Sequence, residues 1–243
     1  MDLQNIPAIL KLNYNKGIHD IKLLREGGNY TYVVQGTDKR YFLKIIRRQF
    51  METALTSLDI QLYLLQNGFP VIPIIPTKEG LPSIRINERD DEYLFILYEF
   101  ITGVGEVTEP ANSDLETAGY LLGRLHKVMK SYTGQLVVRD KQFFIDRYVK
   151  ILKIIQYPKA ELFGAYGDEI WSKIRHLPRG FCHGDMYDGN IHKAEGGAMY
   201  VVDFDTSCNA FPMYDIVLFC NRADFLNSII MDTIKHGAGY ISF

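Results

Sequence analysis

Residues 21–46, IKLLREGGNYTYVVQGTDKRYFLKII, alternate apolar and polar side chains and are interrupted at Gly27-Gly28 and again at QGTDKR. A period of two puts every second side chain on one face of a strand, and glycine-rich or polar breaks allow the chain to reverse. The pattern predicts three antiparallel strands joined by tight turns. From Gln49 to Asn67 the period changes. Leu55, Leu58, Leu62 and Leu65 recur every three or four residues, as on one side of a helix, and Gly68 and Pro70 stop it. A second hairpin comes next: PIIPT, a turn at Glu79-Gly80, LPSIRI and the strongly apolar EYLFILYEFI.

The stretch ITGVGEVTEPANSD is rich in turn formers and reads as a connection between two parts. Beyond it the periodicity is mainly helical. Ser113 and Glu116 have capping-box spacing ahead of Leu115, Ala118, Leu122, Leu125 and Met129. A helix is predicted from about Gln142 to Ile155, with Phe144, Tyr148, Ile151 and Ile155 on one side, and another over Glu161 to Ile174. The fold class is therefore α+β: a small antiparallel sheet with one helix, then a larger helical part.

Composition narrows the partners. The net charge of −2 argues against a nucleic acid or an anionic membrane held by bulk electrostatics. No apolar run reaches the ~20 residues of a membrane-spanning helix. Cys182, Cys208 and Cys220 show no metal-knuckle spacing and fit buried thiols in a reducing, cytoplasmic setting.

Chemistry concentrates in FCHGDMYDGNIHK, residues 181–193, succeeded by a glycine turn and the strand MYVVDFD. Loop, strand, turn and strand in that order bring Asp203 back beside Asn190. Asp185, Asn190 and Asp203 are oxygen donors, the type that suits a hard, strongly hydrated cation such as magnesium. Phosphoryl transfer needs such donors, a lysine on the phosphates and an acceptor for the nucleophile's proton. Lys44, on the third strand, is the candidate lysine. Cys182 reads as a small buried thiol, His126 as a packed core histidine and His192 as structural.

In order along the chain, EGGNYTYVVQGTDKRYFLKI, LYEFITG, LLGRLH, HGDMYDGN, DFD and FPMYDI resemble motifs of the aminoglycoside phosphotransferase and choline kinase family, the small-molecule branch of the protein-kinase-like fold. YLLQNGFPVIPIIPTKEGLPSI also resembles a spore-coat-associated branch of that superfamily. The resemblance implies two lobes. Residues 1–101 would be the nucleotide-binding lobe, and 102–243 the catalytic and acceptor-binding lobe. It implies ATP and Mg2+ as cofactors and the hydroxyl of an aminoglycoside, choline-like amine, sugar or amino alcohol as acceptor. The alternative is a non-catalytic nucleotide-binding or structural module of the same fold.

Carried over, Asp185 would deprotonate the acceptor, His183 would orient the loop, and Asn190 and Asp203 would hold the metal, with Asp205 assisting it or capping the next segment. Lys44 would contact the inner phosphates, paired with a helix acid for which Glu52 is preferred over Asp59. Gly27 and Gly28 would form a thin phosphate loop. Val34 and Phe42 would lie near the adenine, and the backbone of Tyr98, Glu99, Phe100 and Ile101 would bind it. Asp215 would brace the catalytic loop from below. HGD in place of HRD, with no long activation segment after DFD, favours a small-molecule acceptor.

Overall fold

The computed structural model of the chain describes residues 5–88, 91–103, 105–106 and 112–220. The chain divides into two compact units: Met1–Ala111 with Asp188–Asp205, and Asn112–Tyr187 with Thr206–Phe243. The hairpin after the HGD loop thus packs with the opening 111 residues of the sequence.

The first unit holds a five-stranded antiparallel sheet. Its strands are β1 (Asp20–Glu26), β2 (Tyr30–Gln35), β3 (Arg40–Arg47), β4 (Ile84–Glu88) and β5 (Asp91–Glu99), in the order β1-β2-β3-β5-β4. The three strands predicted from alternation are present. Their turns close with Gly27 N–H donating to the Asn29 carbonyl at 3.1 Å and Gly36 N–H to that of Lys39 at 3.0 Å. One face of the sheet buries Tyr32, Val34, Leu43, Ile45, Phe95 and Leu97 against Ile6, Leu10 and Tyr14. Ile6 and Leu10 belong to α1 (Ile6–Asn13), a helix absent from the strand-dominated reading of this part.

The opposite face packs Ile46, Leu94 and Ile96 against Met51, Ala54 and Leu58 of α2 (Met51–Gln66). The predicted stripe is displaced: Leu58 is buried, whereas Leu55 and Leu62 lie half-buried at its margin. PIIPT forms no strand. Pro73 and Pro76 lack N–H donors, so the segment joins the sheet only through the Ile74↔Tyr98 bridge and two flanking bonds, Ile75 N–H to Leu97 and Glu99 N–H to Pro73. It takes the edge of β5 that β4 leaves open, since β4 pairs only from Asp91 to Phe95.

A three-stranded sheet completes this unit. β9 (Ile191–Lys193) pairs with β10 (Met199–Val201) and with β6 (Gly105–Glu106). Part of the predicted connection is therefore a strand, and residues 104 and 107–111 lie outside the described residues.

The second unit contains α3 (Asn112–Met129), α4 (Arg147–Ile154), α5 (Ala160–Ile174) and α6 (Met213–Cys220). A small sheet joins them, built from β7 (Val137–Val138), β11 (Cys208–Ala210) and β8 (Gly180–Cys182) in that order. Ala118, Leu121, Leu122, Leu125 and Met129 of α3 are buried. Helix α3 begins one residue ahead of Ser113, so Ser113 sits inside the first turn, its carbonyl accepting from Thr117 Oγ1 at 2.8 Å.

The predicted helix over Gln142–Ile155 opens with a π-helical turn, Gln142–Asp146. Phe144 packs on Cys182, Cys208 and Ala210, but Tyr148, Ile151 and Ile155 are exposed. Periodicity identifies an apolar side without saying what covers it. Among the described residues no helix is long and apolar enough to cross a membrane.

Candidate active site

Lys44 stands on β3 opposite Thr31 of β2 and Ile96 of β5. Its Nζ donates to Asp205 Oδ2 at 3.0 Å, and both side chains are 28% exposed. Burial alone would lower the lysine's pKa. The charges of Asp205 and Asp203, with Tyr98 beside them, outweigh it and hold the ammonium above its ordinary value. Tyr98 is pushed up to about 12, first by burial and further by the two aspartates, against the opposing influence of Lys44 and a hydrogen bond with Gln61.

The predicted helix acid is a correction. Glu52 is exposed and does not pair with Lys44, because α2 turns Met51, Ala54 and Leu58 towards the sheet and Glu52 away from it. Asp59 is exposed as well. Lys44 takes its carboxylate from the DFD segment instead.

The hairpin returns Asp203 as the residue pattern required. Ile191 pairs with Val201, and the next step outward is Val202 N–H donating to the Asn190 carbonyl at 3.0 Å. Asn190 is buried at 5% exposure. Asp203 holds φ at 64°, in the left-handed region that costs a non-glycine residue energy. Among the described residues no group of three or more His, Cys, Asp or Glu could hold a metal ion. The oxygen donors here are mixed: the amide of Asn190 and the carboxylate of Asp203, with Asp205 committed to Lys44. Asp188 opens a 3-10 turn that ends at Asn190, and His192 Nε2 bonds to the Gly189 carbonyl at 3.0 Å.

Phe42, on the same face as Lys44, stacks on Phe100 with centroids 4.7 Å apart, and the Arg40 guanidinium lies 4.1 Å from the Phe100 centroid. Val34 is a second correction. It is fully buried on the opposite face among Leu43, Ile45 and Phe95, and Val33, paired with Phe42, shares the lysine's face. Gly27 and Gly28 form the β1–β2 turn; a Cβ on Gly28 would stand 3.3 Å from the Phe50 ring, whereas Gly27 is open. Glu99 pairs with Lys39 at 2.6 Å, and its N–H bonds to Pro73, so that amide is already used. Phe100 and Ile101 come after β5 and are half-buried.

In the second unit, the loop carrying Asp185 is built around a buried carboxylate. Asp215, fully buried at the start of α6, accepts from His183 N–H at 2.7 Å and Gly184 N–H at 2.8 Å and is bonded to His126 Nε2 at 2.8 Å. His183, itself fully buried, offers Nδ1 to the Asp185 N–H at 3.4 Å, and its carbonyl accepts from Thr206 Oγ1 at 3.1 Å. Gly184 has φ of 82°, and a Cβ there would meet the Thr206 carbonyl oxygen at 2.3 Å, so only glycine fits. His126 does more than fill the core: it is one of the three donors holding Asp215. Sequence reasoning missed that role, and its sole signal was a histidine among the buried positions of α3.

Cys182 and Cys208 face each other across β8 and β11. The hydrogen bond they share, with burial, pushes the Cys182 thiol up, which makes it a poor nucleophile. Trp171 packs against Phe211 with centroids 5.8 Å apart, while Tyr148, Tyr157 and Tyr166 are exposed.

A five-stranded antiparallel sheet with a paired lysine on its third strand, and a mainly helical part carrying a braced HGD loop, define the protein-kinase-like fold. Solved structures of that fold match. An amicoumacin kinase superposes with a TM-score of 0.76 at 21% identity, over 100% of this chain and 78% of that one. A spectinomycin phosphotransferase gives 0.75 at 18%, over 99% and 80%. A choline kinase from Streptococcus pneumoniae gives 0.65 at 16%, over 96% and 77%. The chain belongs to the phosphotransferase enzyme family, whose model matches residues 20–237. Among curated proteins, the homoserine kinase of Methylobacillus flagellatus is 23% identical over 195 residues, 79% of this chain and 60% of that protein. The homoserine kinase of Neisseria meningitidis serogroup B is 21% identical over 196 residues, 79% of this chain and 62% of that protein. The chain thus spans about three-fifths of the length of these curated relatives.

Proposed function

We propose that the protein is a cytoplasmic, ATP- and Mg2+-dependent kinase that phosphorylates a hydroxyl of a small molecule. One observation carries the reading: the strand lysine pairs with Asp205 on a segment whose two neighbouring positions, Asn190 and Asp203, present oxygen donors from adjacent strand ends. The first unit would bind the nucleotide. Phe42 and the chain from Tyr98 to Ile101 would hold the base, the turn at Gly27 and Gly28 would lie over the phosphates, and Lys44 would neutralise them. Asn190 and Asp203 suit Mg2+ by donor type, and the strained backbone of Asp203 is a feature that binding sites retain. Bound there, the ion would neutralise phosphate charge.

The second unit would supply the base and hold the acceptor. Asp185 takes the hydroxyl proton as the acceptor oxygen bonds to the γ-phosphorus and the bond from that phosphorus to ADP breaks. Asp215, through His183 and Gly184, keeps the loop in place while this happens. The acceptor belongs among amino alcohols, sugars, choline-like amines, aminoglycosides and, by likeness to the homoserine kinases, hydroxylated amino acids.

The test is ADP release with ATP and Mg2+ across a panel of such acceptors. Asp185→Ala should reduce release by at least about 10²-fold, the scale of general-base catalysis, while ATP still raises the melting temperature. Normal turnover by that variant would remove Asp185 from the mechanism. One observation favours a second reading, a nucleotide-binding module without turnover: among the described residues no helix carboxylate steadies Lys44. Nucleotide-dependent stabilisation without ADP release from any acceptor would select it.

A further inference from the structure

Three arginines of the second unit, Arg139, Arg147 and Arg179, lie on aromatic rings, and none has a carboxylate partner among the described residues. Arg139 adjoins the end of β7 and is fixed by its backbone, its N–H bonding to the Asn209 carbonyl at 3.0 Å and its own carbonyl accepting from Arg179 Nη2 at 2.6 Å. Its guanidinium is 4.2 Å from the Phe143 centroid and reaches Tyr214 Oη through one long hydrogen bond of 3.4 Å. The Arg147 guanidinium is 3.6 Å from the same ring centroid, so two cations share one phenyl group.

Three acids of the surrounding segments, Asp140, Asp146 and Asp168, are engaged elsewhere. Lys141 holds both Asp146, at 2.9 Å, and Asp168, at 2.7 Å, and Asp140 accepts from Gln142 N–H at 2.9 Å. A half-buried guanidinium with most of its five donors unused is costly unless an anion completes it.

Position gives this cost a purpose. Arg139 Nη1 lies 3.4 Å from where a Cβ on Gly184 would stand, one residue from Asp185. Adding a carbon–carbon bond and one Cα–Cα step of about 3.8 Å keeps that nitrogen within about 9 Å of the Asp185 Cα. A small molecule with its hydroxyl at Asp185 can span that distance.

We propose that Arg139, with Arg147 beside it, anchors a carboxylate of the acceptor, so that the substrate is a hydroxylated acid rather than a polycation. The planar fork of Arg139, seated over Phe143, matches the two oxygens of a carboxylate, and the same guanidinium charges repel an aminoglycoside. The proposal deepens the kinase reading and rests on it.

The experiment compares L-homoserine with L-homoserine amide, which differ only in the anion. Wild-type protein should prefer the acid, and Arg139→Gln should raise KM for L-homoserine by about thirty-fold or more, the scale of truncating a charged pair. The same variant should shift KM for the amide by less than about two-fold and leave the dissociation constant for ATP unchanged, since lost folding would move all three. Arg139→Lys, which keeps charge but loses the fork, should fall between. Equal KM for acid and amide, or an unaltered acid KM in Arg139→Gln, overturns the anchor. If neither of these two compounds nor any other acceptor of the panel is turned over while ATP binds, the kinase reading fails by itself, and calorimetry with L-homoserine and its amide then decides the anchor. Acid binding that Arg139→Gln abolishes upholds it, and no acid binding by wild-type protein ends it.

Discussion

Asp215 and Asp205 are both acids of the carboxy-terminal half of the sequence, yet they are treated in opposite ways. Asp215 is fully buried and satisfied by two backbone N–H groups and a histidine. Asp205 is partly exposed and holds a single ammonium. The first arrangement has no capacity left for a ligand, so it fixes a loop. The second keeps lone pairs and lysine protons open to exchange, which suits groups that must change partners when phosphates arrive. A permanent brace and an exchangeable contact thus look different in burial and partner count before any ligand is present.

The contrast is most readily broken at Asp215. Asp215→Ala would leave two amides and an imidazole buried without their acceptor and should lower the unfolding free energy by about 3–5 kcal/mol, read by urea denaturation. A loss below about 1 kcal/mol would mean that the loop is held by something else.

Alkaline unfolding probes the surroundings of Lys44. Tyr98 ionises at about 10 in the unfolded chain and at about 12 in the folded one, so the unfolded state gives up its proton first as pH rises. The tyrosine's contribution is complete below pH 10 and is lost as the pH rises towards 12, by an amount on the order of 1–3 kcal/mol. Tyr98→Phe should flatten that slope, whereas an unchanged slope would place the titrating group elsewhere. Tyr14, buried and also pushed up to about 12, contributes a background of the same sign.

The smallest expected effect is that of Lys44→Met on stability. A partly exposed pair contributes less than about 1 kcal/mol, so the variant should melt near the wild type while losing stabilisation by ATP. A large drop in stability would make the pair a brace like Asp215 and erase the contrast.

Much of this was legible in the sequence. Alternation located β1 to β3, and a strand-turn-strand between Asn190 and Asp203 could only return one beside the other. The family resemblance put Val34 near the base, and alternation could not correct it at Val33-Val34, since a period of two cannot choose between adjacent valines. The family resemblance misplaced Glu52, and helix phase could not correct it, because the stripe of leucines is wide and the sheet accepts only its Met51–Ala54–Leu58 edge. The bond between His126 and Asp215 joins residues 89 positions apart and leaves no local trace. Arg139 carries no signal in the sequence either, since the lack of a counter-ion is a property of the folded chain.

The return of residues 188–205 to the first unit also constrains how the chain can mature. On the ribosome, β6 emerges long before its partner β9, and the strand lysine before Asp205. The five strands of the amino-terminal sheet can pair among themselves, but β6 waits for β9, Val71 for its bridge to Val201 and Lys44 for its carboxylate until the whole intervening segment has been translated. A fragment cut after residue 111 would therefore be an unfinished body, and genetic dissection should cut around the nested segment rather than across it.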